Sequence, residues 1–331
     1  MATLGTKNNL LDVAKRLDPD GKIAKIVELL AQTNEILMDI PFKEANEMTS
    51  HVTTVRTGLP SVYWRNINQG VQPSKSTTAQ VKEGIGMLEA WSECDIKLAQ
   101  LSGNEKAYRL SEAQAFLEAM NQEAAQTIFY GNAATATEEF NGLAIRYSSL
   151  SANNAQNIID AGGTGSDNSS VYLVCWGENT VHGVYPKGSK AGISHEDLGA
   201  QTIENAGGVT GARMRVYQDK FNWDLGIALK DWRYVVRICN IDISNLVAGS
   251  GADLSNQLIK AVHRIFNKNM GRCVFYMNRT VFEYLDIQRR DDVTAGGQLS
   301  YDLVDGKAVY DFRGIPVKIV DALLETEARV T

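Results

Sequence analysis

The stretch SEAQAFLEAMNQEAAQTIFYG, residues 111–131, constrains this chain more than any other. Ser111 can cap a helix N-terminus, and Gln114 three residues on completes an S-x-x-Q capping box. Ala113, Phe116, Leu117, Met120, Ala124 and Ile128 recur at i, i+3, i+4, i+7 spacing and lay an apolar stripe along one face. Gly131 stands where a helix C-terminal glycine belongs. A striped helix of this kind must be covered by other elements, so the stripe reads as core and not as a cofactor box.

The remaining elements supply that cover. A second helix is predicted over 254–270, with Asp253 as its cap, Leu254, Leu258, Val262, Ile265 and Phe266 as its stripe, and Gly271 as its end. VYLVCWG (171–177), VHGVYP (181–186), ARMRVYQDKF, LGIALKDWRYVVRICNI and CVFYMN read as strands, and RTVFEYLDIQRR as a short helix. DLVDGKAVYDFRGIPVKIV closes the chain as a hairpin turning at Asp305-Gly306. In its last strand, Gly314 is read as allowing a tight approach and Pro316 as marking an edge position. Strands and helices mix without a βαβ rhythm, so the class is α+β.

The first hundred residues are organised differently. Residues 1–21 read as a polar arm, and KIAKIVELLAQTNEILMDI as a leading helix stopped by Pro41. Between 49 and 101 two strand regions, TSHVTTVRTGLPSVYWRNINQGV and VKEGIGMLEAWSECDIKLAQL, flank a polar segment with Gly70, Pro73 and Ser74. This is a long hairpin, too apolar for a linker and too polar for a core. Trp64 and Arg65 near its tip are residue types enriched at interface hot spots, while Trp64 reads equally well as a buried core anchor.

Chemistry is sparse. The 331 residues carry 33 basic and 39 acidic side chains, a net charge of −6, which speaks against a nucleic-acid-coating protein. No apolar run is long enough to span a membrane, and the N-terminus lacks a signal-peptide core, so a cytoplasmic chain is expected. Cys94, Cys175, Cys239 and Cys273 show no CxxC spacing and read as buried small hydrophobes. GVYPKGSK (183–190) has the glycine spacing of a phosphate loop, but Ser189 and Lys190 stand in reversed order. GGTGSDN (162–168) places Asn168 at the third glycine position. His195-Glu196 begins an H-E-x-x-H motif that Gly199 ends. His51, His182 and His263 read as isolated, and Asp291-Asp292 beside Arg289-Arg290 as a solvated, self-neutralised loop. No catalytic, cofactor or metal residue is assigned. The competing classes are a metal- or nucleotide-dependent enzyme, whose sign would be a convergent Asp, His and Glu cluster, and a carbohydrate-binding β module suggested by Trp176, Trp223 and Trp232, which read more simply as sheet core.

The order of parts resembles the major capsid protein of tailed bacteriophages, the Hong Kong 97-like shell fold. The likeness is clearest over 254–327, where a strand ending in Met277-Asn278 leads into a helix and a G-x-P-V strand (Gly314, Pro316, Val317) is followed by Asp321. VYLVCWGENTVHGVYPKGSKAGISHEDLG also resembles a segment of short-tailed phage capsid proteins. The resemblance implies an α+β Hong Kong 97-like fold with an N-terminal arm, an extended hairpin loop, a long spine helix, and peripheral and axial domains. It divides the chain into arm and leading helix (1–48), hairpin (49–103), spine helix of the peripheral domain (104–140), a loop-rich sheet region that is in part axial (141–250), and second helix with C-terminal strands (251–331). It implies a virion shell protein that encloses DNA. Copies would associate as pentamers and hexamers, assembled in the host cytoplasm, with a decoration protein, scaffold and portal as further partners. DNA contact would be non-specific, and neither membrane nor cofactor is involved. The alternative on the same fold is an encapsulin-type nanocompartment shell. Some members of the family cross-link a loop lysine to a neighbour's asparagine. Lys75 and Lys82 are available, but no local motif fixes a partner, so no cross-link is assigned.

Overall fold

The computed structural model describes residues 31–101, 103–204, 210–291, 299–304 and 307–331, and their side chains outside 289–309. The predicted arm, most of the leading helix and the Asp305-Gly306 turn lie outside the described residues. The strands are β1 (Phe42–Glu44), β2 (Ser50–Gly58), β3 (Thr77–Gly84), β4 (Gly86–Asp95), β5 (Ile158–Asp160), β6 (Asn168–Trp176) and β7 (Val181–Tyr185). They continue with β8 (Ser194–Glu204), β9 (Arg213–Leu229), β10 (Val235–Asp242), β11 (Arg272–Met277), β12 (Leu299–Val304), β13 (Lys307–Phe312) and β14 (Ile315–Ile319). The longer helices are α1 (Glu105–Tyr130), α2 (Leu254–Arg264) and α3 (Arg279–Asp291).

Two compact units share the chain. One gathers 87–126 and 192–224 with the described residues 31–34; the other gathers 35–86, 127–191 and 225–331.

In the first unit β8 and β9 form an antiparallel ladder from Ser194↔Asn222 to Glu204↔Arg213, and β4 neighbours β9. Cys94, Leu98, Ala99 and Tyr108 make a small core against Tyr217. Phe116 of α1 stacks on Phe221 at 6.3 Å. Three expectations change here. α1 begins at Glu105, not Ser111: the Ala107 amide donates to the Asn104 side chain at 3.1 Å, so the cap lies seven residues earlier and Ser111 is helix interior. Residues 96–101 are helical and not strand, because the Asp95 carboxylate accepts from the Lys97 amide at 2.8 Å and turns the chain into a helical start. β8 lies between VHGVYP and ARMRVYQDKF, where the sequence predicts no element. Its side chains are nearly all exposed, so it carries no apolar alternation to find.

In the second unit the sheet runs β12-β13-β14-β11-β6-β7, with Leu225–Leu229 of β9 beside β7 and β10 pairing both β5 and β6. Every residue of β6 and β10 is buried, the signature of strands covered on both faces. One face packs Leu173, Cys175, Val236, Ile238 and Phe275 against Leu254, Leu258 and Val262 of α2 and Val281 and Leu285 of α3. Asp253 caps α2 as expected, accepting from the Asn256 amide at 3.0 Å. The helix ends at Arg264 and a 3₁₀ turn over Lys268–Met270 follows, which leaves Phe266 68% exposed and outside the stripe. ARMRVYQDKF and LGIALK are one continuous strand, β9.

The glycines and the proline of the sequence reading act differently from expectation. Gly131 does not adopt a left-handed C-cap. A Cβ there would meet the Phe140 and Thr127 carbonyls at 2.4 and 2.6 Å, so close approach is what requires glycine. At Gly314 the reverse holds. Arg313 and Gly314 have φ of +53° and +75°, and the space around Gly314 is open, so glycine serves a two-residue hairpin turn between β13 and β14. Nor is β14 an edge strand: it lies between β13 and β11. Pro316 sits opposite Asp311, just ahead of the Phe275↔Val317 pair where the ladder to β11 begins.

Candidate assembly surface

β2 and β3 pair from Ser50↔Gly84 to Gly58↔Thr77 as a two-stranded sheet of their own. Beyond them, residues 59–76 form no strand. The strand expected over SVYWRNINQGV is absent because its β-formers have no neighbouring strand to pack on. Trp64 is fully exposed, and Val62, Ile67 and Leu59 are 88%, 90% and 81% exposed. Arg65 is exposed beside them. Trp64 is therefore no core anchor within its own subunit. Loop order comes from polar contacts: Ser74 Oγ donates to the Ser61 carbonyl at 2.7 Å, and the Gln69 amide to the Asn66 carbonyl at 3.2 Å. From Val52 to Lys82 the chain carries Arg56, Arg65, Lys75 and Lys82 and no acidic residue, so loop and strands form a basic projection on an acidic protein.

The root of this hairpin is firmly held. The Asn46 side chain donates to the Val52 carbonyl at 2.7 Å and accepts from the Val52 amide at 2.8 Å. Arg146 grips buried Glu83 through two bonds of 2.5 and 2.6 Å. Ile85 packs on Ala45, Val184 and Ala228 of its own subunit. His51 and His182 meet edge to face at 5.7 Å, so they are not isolated, and the Nδ1 atom of each is buried without a partner. Burial first, then the positive charge of Lys230, His51 and Lys43, pushes the His182 imidazole down to about 4, with Glu178 opposing. Burial and Lys230 lower His51 as well, against Glu83. The contacts of Arg146 with Glu83 and of His51 with His182 escape sequence reading because each joins residues far apart in the chain.

Elsewhere polar groups are engaged with each other. His195 Nε2 lies 3.0 Å from Asp219, whose carboxylate, with that of Asp197, holds Arg109 at 2.8 and 2.6 Å. GVYPKGSK is a turn: the Gly188 amide donates to Glu44 at 2.8 Å, and no helix follows. GGTGSDN leads into β6, and Asp167 within it binds Ser244. A cavity of about 380 Å³ is lined by Tyr130, Ile145, Arg237, Glu327 and Arg329, among others. Both Glu327 oxygens are taken there, one by Tyr130 at 2.5 Å, the other by Ser170 at 2.5 Å and Arg237 at 2.7 Å. Among the described residues no group of three or more His, Cys, Asp or Glu could hold a metal ion, and no helix is long and apolar enough to cross a membrane. The side chains of Arg289 to Asp292 lie outside the described residues.

A basic hairpin with exposed aromatics, a long helix and a mixed sheet accord with a Hong Kong 97-like phage capsid fold, which the comparisons show. The family model "Major capsid protein GP7" matches residues 18–331, and the chain belongs to that family. A chain of the bacteriophage Epsilon15 structure is 34% identical with a TM-score of 0.79, covering 99% of this chain and 98% of that one. Chains from Mycobacterium phage Bobi (12% identity, TM-score 0.42, 69% and 97% covered) and the SrpI encapsulin of Synechococcus elongatus PCC 7942 (10%, 0.46, 70% and 96%) are also similar. A search of the curated proteins returned no match. The chain is thus a phage major capsid protein, a structural component of the virion whose copies associate into the shell, and the capsid reading is favoured over the encapsulin alternative.

Proposed function

We propose that the loop over 59–76 is the part of the subunit that clasps a neighbouring copy, with Trp64 and Arg65 as its anchors. Copies then close as pentamers and hexamers in the host cytoplasm, contact packaged DNA without sequence preference, and catalyse nothing. Decoration protein, scaffold and portal are the further partners we expect. Within this reading we keep the division into arm and leading helix, extended hairpin, spine helix, partly axial sheet region, and second helix with C-terminal strands. One observation carries it: Trp64 stands fully exposed on a firmly rooted hairpin, in company with Leu59, Val62 and Ile67. Large apolar side chains grouped in this way mark an interaction site. Seating them on a neighbour offsets the roughly 1 kcal/mol or more per residue that ordering a loop costs, at roughly 25 cal/mol per Å² of apolar area. The basic charge of the projection suits an acidic partner, and this chain is itself acidic, with net charge −6. The test is Trp64→Ala. Circular dichroism and thermal midpoint should stay at the parent's values, while sedimentation should show shells lost or the assembly threshold raised, since hot-spot aromatics are worth about 2 kcal/mol or more each. Assembly equal to the parent's would remove Trp64 from the interface.

A further inference from the structure

Cys175 and Cys273 face each other across the antiparallel pair β6–β11, in direct register. Residues opposed in this way have Cα atoms about 4.5–5.5 Å apart, inside the roughly 4.4–6.8 Å that a disulfide spans. Both are reduced, and both lie on the sheet face that packs against α2 and α3. Their access differs. Cys175 is fully buried, whereas Cys273 is half-buried and so offers its sulfur to small molecules. We propose that this dithiol is a modification site: a low-molecular-weight disulfide oxidises Cys175 and Cys273 to an intrachain disulfide that joins the two central strands.

The roles follow from geometry and charge. The adjacent Cys175 thiol favours the thiolate of Cys273, burial opposes it, and the positive Lys268 adds a smaller favourable contribution. The neighbouring Cys273 thiol, then burial, push the Cys175 thiol up, so it holds its proton. The Cys273 thiolate attacks one sulfur of the oxidant, forming a mixed disulfide and releasing one thiolate. Cys175 then gives up its proton and attacks the Cys273 sulfur, and the second thiol leaves with that proton. Two protein thiols are oxidised and one disulfide is reduced to two thiols, so the exchange balances. Such an oxidant meets a particle that leaves a reducing cytoplasm for an oxidising medium. Cys94 and Cys239 are buried in other surroundings and take no part.

The test exposes the full chain, folded and at neutral pH, to oxidised glutathione, then alkylates remaining thiols in denaturant and maps peptides by mass. The wild type should lose two of its four thiols, with Cys94 and Cys239 alkylated and the Cys175 and Cys273 peptides joined. In Cys175→Ser the reaction should stop at a glutathione adduct on Cys273. In Cys273→Ser, Cys175 should stay a thiol. The proposal is overturned if wild-type Cys273 stays free, keeps its glutathione adduct despite Cys175, or links to another cysteine. The wild-type map decides this alone should either serine variant fold poorly.

Discussion

Two irregular segments of the larger unit have opposite fates. The loop over 59–76 turns Leu59, Val62, Trp64 and Ile67 to solvent. The tail from Val320 to Thr331, equally without helix or long strand, is fastened at almost every step. Asp321 pairs with Arg279 at 2.9 Å, Thr280 donates to Glu325, and the Glu327 amide donates to the Asn168 carbonyl at 2.8 Å. Asn240 clasps the backbone of Val330 with bonds of 2.9 and 2.8 Å. The tail belongs to the folding of one subunit, and on our reading the loop is reserved for the association of many. Irregular backbone takes either part, and what decides is whether its apolar and charged groups find partners in the same chain.

The sharpest way to break this contrast is at the tail's buried ion pair. Arg237 and Glu327 side chains are each only 5% exposed, and their contact is 2.7 Å. Removing one partner strands the other charge, which costs roughly 3–5 kcal/mol. Arg237→Ala and Glu327→Ala should each lower the denaturation midpoint of the subunit severely, and Arg237→Met with Glu327→Leu should cost less than either alone. If the single variants unfold at the parent's midpoint, the tail is no more a part of subunit folding than the loop is.

A second test separates the hairpin root from the tail by pH. The folded His182 imidazole is held down at about 4, whereas an unfolded histidine titrates near 6.5. Below pH ~6.5 the unfolded chain therefore binds a proton that the folded chain refuses, so stability falls with pH. The loss is absent well above pH ~6.5, grows to about 3 kcal/mol as pH falls to about 4, and is flat below that. His51, lowered for the same reason, adds in the same direction. His182→Gln should flatten the slope between those limits in denaturant titrations, and hydrogen exchange should place the acid-induced opening in β2 and β7. An unchanged slope in the variant would remove the histidine pair as its source.

The elements that bury a face were more legible in the sequence than their boundaries or the contacts between distant segments. α2 and α3, the buried strands β6 and β11 and the terminal hairpin were legible because burial writes a period or an apolar run into the residues. The start of α1 was misread since Ser111 offers a capping box as good on paper as the Asn104 cap that wins. β8 left no pattern because its partner is a neighbouring hairpin arm and not a core. Trp64 and Arg65 were singled out by residue type, and their exposure came only with the fold. The contacts that fix the hairpin root, Glu83 with Arg146 and His51 with His182, join segments distant in the chain, and the facing of Cys175 and Cys273 depends on the pairing of two distant strands. The two units are likewise built from interleaved segments, which a pass along the chain reads one after another.

The smallest effect should arise at Asn46, which ties the hairpin to the chain before it. Its amide spans the Val52 N–H and C=O with two bonds, at 2.8 and 2.7 Å, in an exposed setting where water can replace it. Net worth for such bonds is about 1 kcal/mol. Asn46→Ala should thus leave the global midpoint nearly unmoved, because the core between the sheet and α2 is untouched. It should instead free the lower end of β2, raising hydrogen exchange at Val52 about fivefold, the ratio that 1 kcal/mol represents at room temperature. Arg146 and Glu83 still hold β3, so only one strand of the root is loosened. If the hairpin projects for a neighbour's sake, a looser root should also slow shell formation while the subunit's stability stays near the parent's. A variant that exchanges faster throughout the sheet would show instead that the root and the core open together, and the division between a folding part and an associating part would fail at this point.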